Sequence, residues 1–332
     1  MEQVRQSRMN AFINGTGCTA LAAVLAVALS IYYYYAGIDY ADEFYGVVAG
    51  AEIGLAHGSV LSWVLNLITI GCGVILLSFL NKRFAFIREY TRLHTTMMIV
   101  LTMSVPGLTA ALCPANVVVL LLLPAMHVMF SGYQQQHYRS YIFLISLILS
   151  IGSMVDYVFV AYALIFMVGF FQVQIMSFKG FVGMLFGWIT PYWIAYGFGM
   201  FTLGDLHLPQ LQFSAERYMA LLTSPVIVNV VLTVVTGAAF GVVNALTLIS
   251  YRRQLRAYNG FFTVLALATT LLLVVDVANV LTYLAVLNVC LAVQAAHFFT
   301  TTRLNKGYIL FILLVVANMA GPTLFTILKE LL

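Results

Sequence analysis

Three apolar stretches, 95–130, 141–173 and 261–298, are each about twice as long as one membrane crossing requires, and each is interrupted once near its middle. The hydrocarbon core of a bilayer is about 30 Å thick, so a helix crosses it in roughly 20 apolar residues. The interruptions are Cys113-Pro114-Ala115-Asn116, Gly152-Ser153-Met154-Val155-Asp156 and Asp276-Val277-Ala278-Asn279. Proline removes a helical donor, and an aspartate is costly at the bilayer centre. Each stretch therefore reads as a hairpin of two shortish helices with its break at the far interface. Re-entrant half-helices are the rival reading.

Five further runs, 17–35, 60–80, 181–201, 225–249 and 308–328, fit one span each. The hairpins supply 95–113, 114–130, 141–153, 156–173, 261–275 and 278–298. The expected fold is all-α: a polytopic membrane helix bundle of about 11 transmembrane helices, forming one integral membrane domain over 1–332. Composition agrees. Of 332 residues, 63% are hydrophobic and 8% charged, against roughly 25% charged in a soluble domain. Mean hydropathy is +1.01. The first run ends in Tyr32-Tyr33-Tyr34-Tyr35 rather than a small-residue cleavage site, so it reads as an uncleaved span.

Charge gives the orientation. With the N-terminus in and the C-terminus out, the inside segments hold 13 basic residues: Arg5, Arg8, Lys82, Arg83, Arg88, Arg92, Arg139, Lys179, Arg252, Arg253, Arg256, Arg303 and Lys306. The outside segments hold 2, Arg217 and Lys329. Short cytoplasmic loops carry such an excess. The net charge of +4 is thus spread over loops and does not suggest a nucleic-acid groove. The acidic residues fall the other way: Asp39, Asp42, Glu43, Glu52, Asp156, Asp205, Glu216, Asp276 and Glu330 face outside, and only Glu2 and Glu89 inside.

The outer carboxylates are the main functional hint. Asp39, Asp42 and Glu43 follow the first span within a few residues, and Asp156 and Asp276 mark two hairpin turns. Converging, they form an acidic pocket able to supply a general base, bind a metal ion or receive a cation. Asp39, Asp42, Asp156 and Asp276 are the candidate catalytic residues. The plainer reading makes them turn and helix-cap residues touching water. His57 precedes the second span and can join the group as an acid or base. Gly46, Gly50 and Gly54 recur every four residues, as on one side of a short helix that lies close against the bundle.

Trp188 and Trp193 sit in Gly187-Trp188-Ile189-Thr190-Pro191-Tyr192-Trp193, a kinked aromatic helix that could border a lipid or sugar groove. Glu43, His57, Trp188 and Trp193 are the candidate binding residues. The basic stretch 81–92 could bind anionic headgroups or a polyprenyl phosphate, or simply anchor the cytoplasmic face. Gly237 and Gly241 read as a close helix contact. Cys18, Cys72, Cys113 and Cys290 show no ligand spacing and read as small apolar helix residues. The other histidines show no metal spacing either, and no nucleotide or hydrolase motif is present. A cofactor and a metal are left open.

Leu80-Asn81-Lys82-Arg83, the short paired spans after it and Thr190-Pro191-Tyr192-Trp193 resemble an uncharacterised family of multi-pass inner-membrane proteins of Bacteroidota, over roughly 59–208. That resemblance implies the bacterial inner (cytoplasmic) membrane. The layout is also similar to GT-C-type membrane glycosyltransferases, in which a first span leads into an outer loop bearing a catalytic aspartate. That likeness would give Asp39 or Asp42 this place. Three functions follow: a GT-C-like enzyme or handler of lipid-linked (polyprenyl-phosphate) glycans at the outer leaflet, a non-catalytic membrane subunit of a larger envelope assembly, or a transporter. The scarcity of charged residues within the spans weighs against ion-coupled transport. The expected partners are the lipid bilayer, possible polyprenyl-phosphate lipid and other membrane proteins, with no nucleic acid.

Overall fold

A computed structural model describes residues 11–36, 46–48, 59–87, 91–135, 138–206, 215–249, 251–301 and 307–331. The described chain is all-α, with 13 helices in order: α1 (Thr16–Tyr35), α2 (Val60–Phe84), α3 (Leu93–Met103), α4 (Pro106–Thr109), α5 (Pro114–Ser131), α6 (Tyr138–Val155), α7 (Val158–Gln172), α8 (Phe178–Gly197), α9 (Ala215–Thr223), α10 (Val226–Leu248), α11 (Arg253–Val275), α12 (Val280–Thr301) and α13 (Gly307–Leu331). Short 3-10 turns occupy Leu203–Asp205 and Val277–Asn279. Among the described residues, 7 helices are long and apolar enough to cross a membrane. Three apolar helices are shorter, among them α3 and α7. The chain is therefore a multi-pass integral membrane protein.

Two of the long apolar stretches divide where the sequence interrupts them, at Asp156 and Asp276, but the first divides earlier than expected: α3 ends at Met103 rather than near 113, just ahead of Pro106, and the short α4 intervenes before Pro114. Pro114 opens α5 at its first turn, where its missing N–H costs nothing. Asp156 accepts from the Val158 N–H at 2.9 Å and opens the turn into α7. Asp276 follows the last residue of α11, and its own N–H bonds back to the Leu272 carbonyl at 2.8 Å. Elsewhere, Ser59 and Ser177 cap α2 and α8, their hydroxyls accepting from Ser62 and Gly180 N–H groups.

Helix α12 lies at the centre, packed against α3, α5, α10 and α11. All 11 residues of α3 are buried. The peripheral helices present large apolar side chains outward, as Leu25, Ile68, Phe186, Val235 and Leu313 do. This is the inside-out surface expected of a body solvated by lipid. Helices α6 and α8 approach most closely. A Cβ on Gly187 would stand 2.5 Å from the Phe143 carbonyl oxygen, so only glycine fits there. Pro191 lies inside α8, which runs on through it as one helix.

Buried asparagines tie helix to helix through backbone oxygens. Asn66 and Asn116 both donate to the Leu108 carbonyl beside the α4–α5 break, at 2.9 and 2.7 Å. Asn244 holds the Gln294 carbonyl and Asn259 the Phe86 carbonyl. Such bonds satisfy carbonyls that cannot reach water.

The bundle is electrically polar along its length. Lys82, Arg83, Arg92, Arg139, Lys179, Arg252, Arg253 and Arg256 sit at the end where α2 finishes and α3, α6, α8 and α11 begin. Asp156, Asp205, Glu216 and Asp276 sit at the other end, together with Arg217 and Lys329. At that acidic end Gly46-Val47-Val48 is not helical and bends at Val47. The Val47 N–H donates to the Ser153 carbonyl, and Val48 bridges to Leu206. Gly50 and Gly54 lie outside the described residues.

A candidate site built on two buried carboxylates

The structure brings Asp156 and Asp276 together, one from each of two helix breaks. Their depth differs from the sequence expectation. The plainer reading made them turn residues touching water and the other an acidic pocket at the outer face, yet Asp156 is 2% exposed and Asp276 0%. Long-range packing is the reason. Gly46 lies directly on the Met154 carbonyl, and Val47 is bonded to Ser153, so the 46–48 piece covers the end of α6. Helix α9 packs over the 277–279 turn, where the Tyr218 hydroxyl bonds the Val274 carbonyl.

Asp276 collects its partners on one oxygen. Its Oδ2 accepts from the Tyr157 hydroxyl at 2.9 Å, the Tyr283 hydroxyl at 2.9 Å and the Asn279 amide at 2.8 Å. The Asn279 amide also reaches the Tyr157 oxygen. The spacing makes this possible. Asn279 and Tyr283 follow Asp276 by three and seven residues, and so return to the same face of the chain's helical path. Tyr157 arrives from the other hairpin, beside Asp156. One level deeper, the Tyr162 hydroxyl meets Thr269 at 3.4 Å.

Each carboxylate keeps an oxygen without a protein partner. These are Asp156 Oδ2 and Asp276 Oδ1, both buried. All ten described lysines and arginines, the eight at the basic end with Arg217 and Lys329, are exposed. Among the described residues, the pair therefore has no buried lysine or arginine to balance it. Two like charges held close in an apolar setting disfavour double ionisation. In the turn between α6 and α7, burial pushes the Asp156 carboxyl up to about 7. The Val158 N–H opposes that shift, and the charge of Asp276 adds to it. Chemically, the buried Asp156 carboxyl can hold and exchange a proton, and the two open oxygens can accept a cation in its place.

Trp188 and Trp193 lie elsewhere. They line a separate lateral groove of about 740 Å³ between α7 and α8, with Tyr192, Tyr196, Phe201 and Val47. Trp193 is 72% exposed. The Trp188 carbonyl accepts from Ser150 at 2.6 Å, and Tyr192 meets Ser153 through its hydroxyl at 2.7 Å. The groove is almost wholly apolar, and neither Asp156 nor Asp276 lines it. Asp39, Asp42, Glu43 and His57 lie outside the described residues.

Tyr157, Asn279 and Tyr283 are members of the candidate site that sequence reasoning did not single out as site residues. Their signal was present as polar positions at helical spacing from an aspartate. Among the described residues no three histidine, cysteine, aspartate or glutamate side chains gather as a metal site. Comparison with protein-family models, with curated proteins and with solved structures finds no match to this chain.

Proposed function

We propose that this protein is a proton-coupled membrane transporter whose proton is held by Asp156 and Asp276. The observation that carries this reading is the sealed pair itself: two carboxylates, no buried lysine or arginine among the described residues, and one open oxygen on each. An ionisable group kept inside a membrane protein is costly, and a working role is the usual reason for it.

A polar stripe along α12 adds support. Asn279, Tyr283, Cys290, Gln294, His297 and Thr301 recur at intervals of four, seven, four, three and four residues, and so share one face of the helix. Between Tyr283 and Cys290 the stripe has an apolar gap, beside which Tyr162 and Thr269 form their bond. From Asn279 to Thr301 the helical rise is about 33 Å, comparable with the bilayer core. At the far end the His297 ring bonds Thr301 at 3.1 Å, and its Nε2 has no protein partner. The basic end of the bundle is the cytoplasmic one by the positive-inside rule. With eleven crossings, the carboxylate pair then serves the outer side of the inner membrane.

The test is electrophysiology on proteoliposomes adsorbed to a solid support, challenged with a panel of small solutes under an imposed pH gradient. A solute-dependent current that follows the proton gradient and vanishes in Asp276→Asn is expected. A solute current indifferent to pH and to both Asp156→Asn and Asp276→Asn overturns the reading, as does the absence of any current across the panel.

The aromatic groove favours a second reading, a GT-C-like handler of polyprenyl-phosphate glycans. Its width and apolar lining suit an isoprenoid chain. Because Asp156 and Asp276 are sealed from the groove, the catalytic carboxylate would have to be Asp39 or Asp42. Native mass spectrometry showing a polyprenyl-phosphate lipid on the wild type and its loss in Trp193→Ala would favour this reading over the first.

A further inference from the structure

A second polar cluster lies far from the carboxylate pair, near the middle of α12 and α13. It forms where α3 stops inside the bundle. At 11 residues, α3 is roughly 16 Å long, about half a crossing. Pro106 follows three residues after its end and cannot supply an N–H to the last turn. The Leu101 carbonyl, freed at this end, accepts from the Ser104 hydroxyl at 2.9 Å and from the Asn288 amide at 3.2 Å. Thr233 donates to Asn288 Oδ1 at 3.1 Å. The Asn229 amide donates to Ser104 Oγ at 3.1 Å and to the Asn318 carbonyl at 3.3 Å. That carbonyl is also freed by proline, because position 322, four residues on, has no N–H. One unbroken chain of hydrogen bonds therefore joins α3, α10, α12 and α13.

The cluster is rich in acceptors. Asn229 Oδ1 and Asn318 Oδ1 have no protein partner, and both residues are 1% exposed. The Asn229 amide is fixed between Ser104 and Asn318, so its unpartnered oxygen lies within the cluster. Asn244, which holds the Gln294 carbonyl, also keeps one buried Oδ1 without a protein partner. Here two residues of one hydrogen-bonded chain carry such oxygens, beside the C-terminal, partially negative end of a broken helix. Uncharged oxygens of this kind replace the hydration shell of a monovalent cation. A divalent ion generally demands carboxylates. No carboxylate takes part in this cluster.

We propose that the Ser104–Asn229–Asn288–Asn318 cluster is a binding site for a dehydrated monovalent cation of the Na⁺ or K⁺ type, seated at the C-terminal end of α3. The site is independent of the carboxylate pair and stands whether or not that pair moves protons.

The test uses the purified full chain in detergent. Thermal unfolding is followed in NaCl, KCl and choline chloride at equal ionic strength, alongside binding of radioactive Na⁺ and its competition by K⁺. Saturable stabilisation by Na⁺ or by K⁺, absent in choline and retained in Asp276→Asn, is the expected result. Asn318→Leu is the informative variant. Its side-chain amide bonds within its own helix, to the Leu314 carbonyl at 2.9 Å. A merely structural Asn318 makes the leucine neutral or stabilising, with the salt response unchanged. A ligand Asn318 raises the half-saturating cation concentration roughly ten-fold or more, the loss of about 1.4 kcal/mol of binding. Equal behaviour in all three salts with no measurable Na⁺ or K⁺ binding by the wild type overturns the proposal. So does a salt response that Asn318→Leu leaves intact.

Discussion

The Tyr157 hydroxyl, on the turn between α6 and α7, donates at 2.9 Å to Asp276 Oδ2, on the turn between α11 and α12. The bond joins residues 119 positions apart and fastens two helical hairpins at their tips. Tyr157→Phe removes it while keeping the ring. We expect a loss of roughly 1–3 kcal/mol, the usual cost of a hydrogen bond to a charged or buried acceptor. Denaturant unfolding in mild detergent measures it. A variant as stable as the wild type would mean that Asn279 and Tyr283 satisfy Asp276 unaided.

Protonation of Asp156 links the site to pH. Its carboxyl is raised from 3.8 to about 7 by burial. The fold thus prefers the neutral form. Its stability is full below the unfolded value, falls as pH rises from about 4 to about 7, and levels off above. The limiting loss is about 4 kcal/mol. Melting temperatures at pH 5 and pH 8 should show the wild type more stable in acid, and Asp156→Asn should flatten the difference. A wild type that gains stability towards pH 8 would contradict the assignment.

Gly46 covers the end of α6 because it has no side chain, and a Cβ there would run into the Met154 carbonyl. Gly46→Ala should lift the 46–48 piece and let water reach Asp156. The acid–neutral difference in melting temperature should shrink even though both carboxylates remain. Hydrogen exchange of the Val47 amide, now bonded to Ser153, should rise in parallel. Unchanged exchange would place the seal elsewhere.

The charge polarity of the bundle predicts its orientation. Single cysteines at Arg83 and Arg253, in a chain whose Cys72 is replaced by serine, should react with an impermeant thiol reagent only from the cytoplasmic side. A cysteine at Glu216 should react only from outside. Labelling of Arg253 and Glu216 positions from one side would break the eleven-crossing scheme.

Element type and the position of breaks were legible because they rest on local chemistry. Asp156 and Asp276 interrupt long apolar runs and the helices divide there, whereas in the first run the helix already ends at Met103, ahead of Pro106, and α5 begins at Pro114. The grouping of Asp156 with Asp276 was legible too, since topology sends both turns to one end. Their burial was not. It depends on α9 and on 46–48 folding across the turns, contacts that join residues 56 positions apart for Tyr218 and Val274 and over a hundred apart for Val47 and Ser153. The α3 cluster was invisible for a similar reason. Asn229, Asn288 and Asn318 each look like an isolated polar residue in an apolar helix, and only the packing of four helices brings them to the end of α3. Asn318 draws significance from Pro322, a residue whose effect is felt four positions back.

All three turns that divide the long apolar stretches, at 104–113, 156–157 and 276–279, lack lysine and arginine. This has a consequence for how the protein is made. A pair of helices that enters the bilayer as one loop carries its tip through hydrocarbon before the bundle closes. A positively charged tip would resist that passage, whereas an aspartate can make it as a neutral acid. The protonation that the finished fold favours at Asp156 is the state in which its hairpin inserts at least cost.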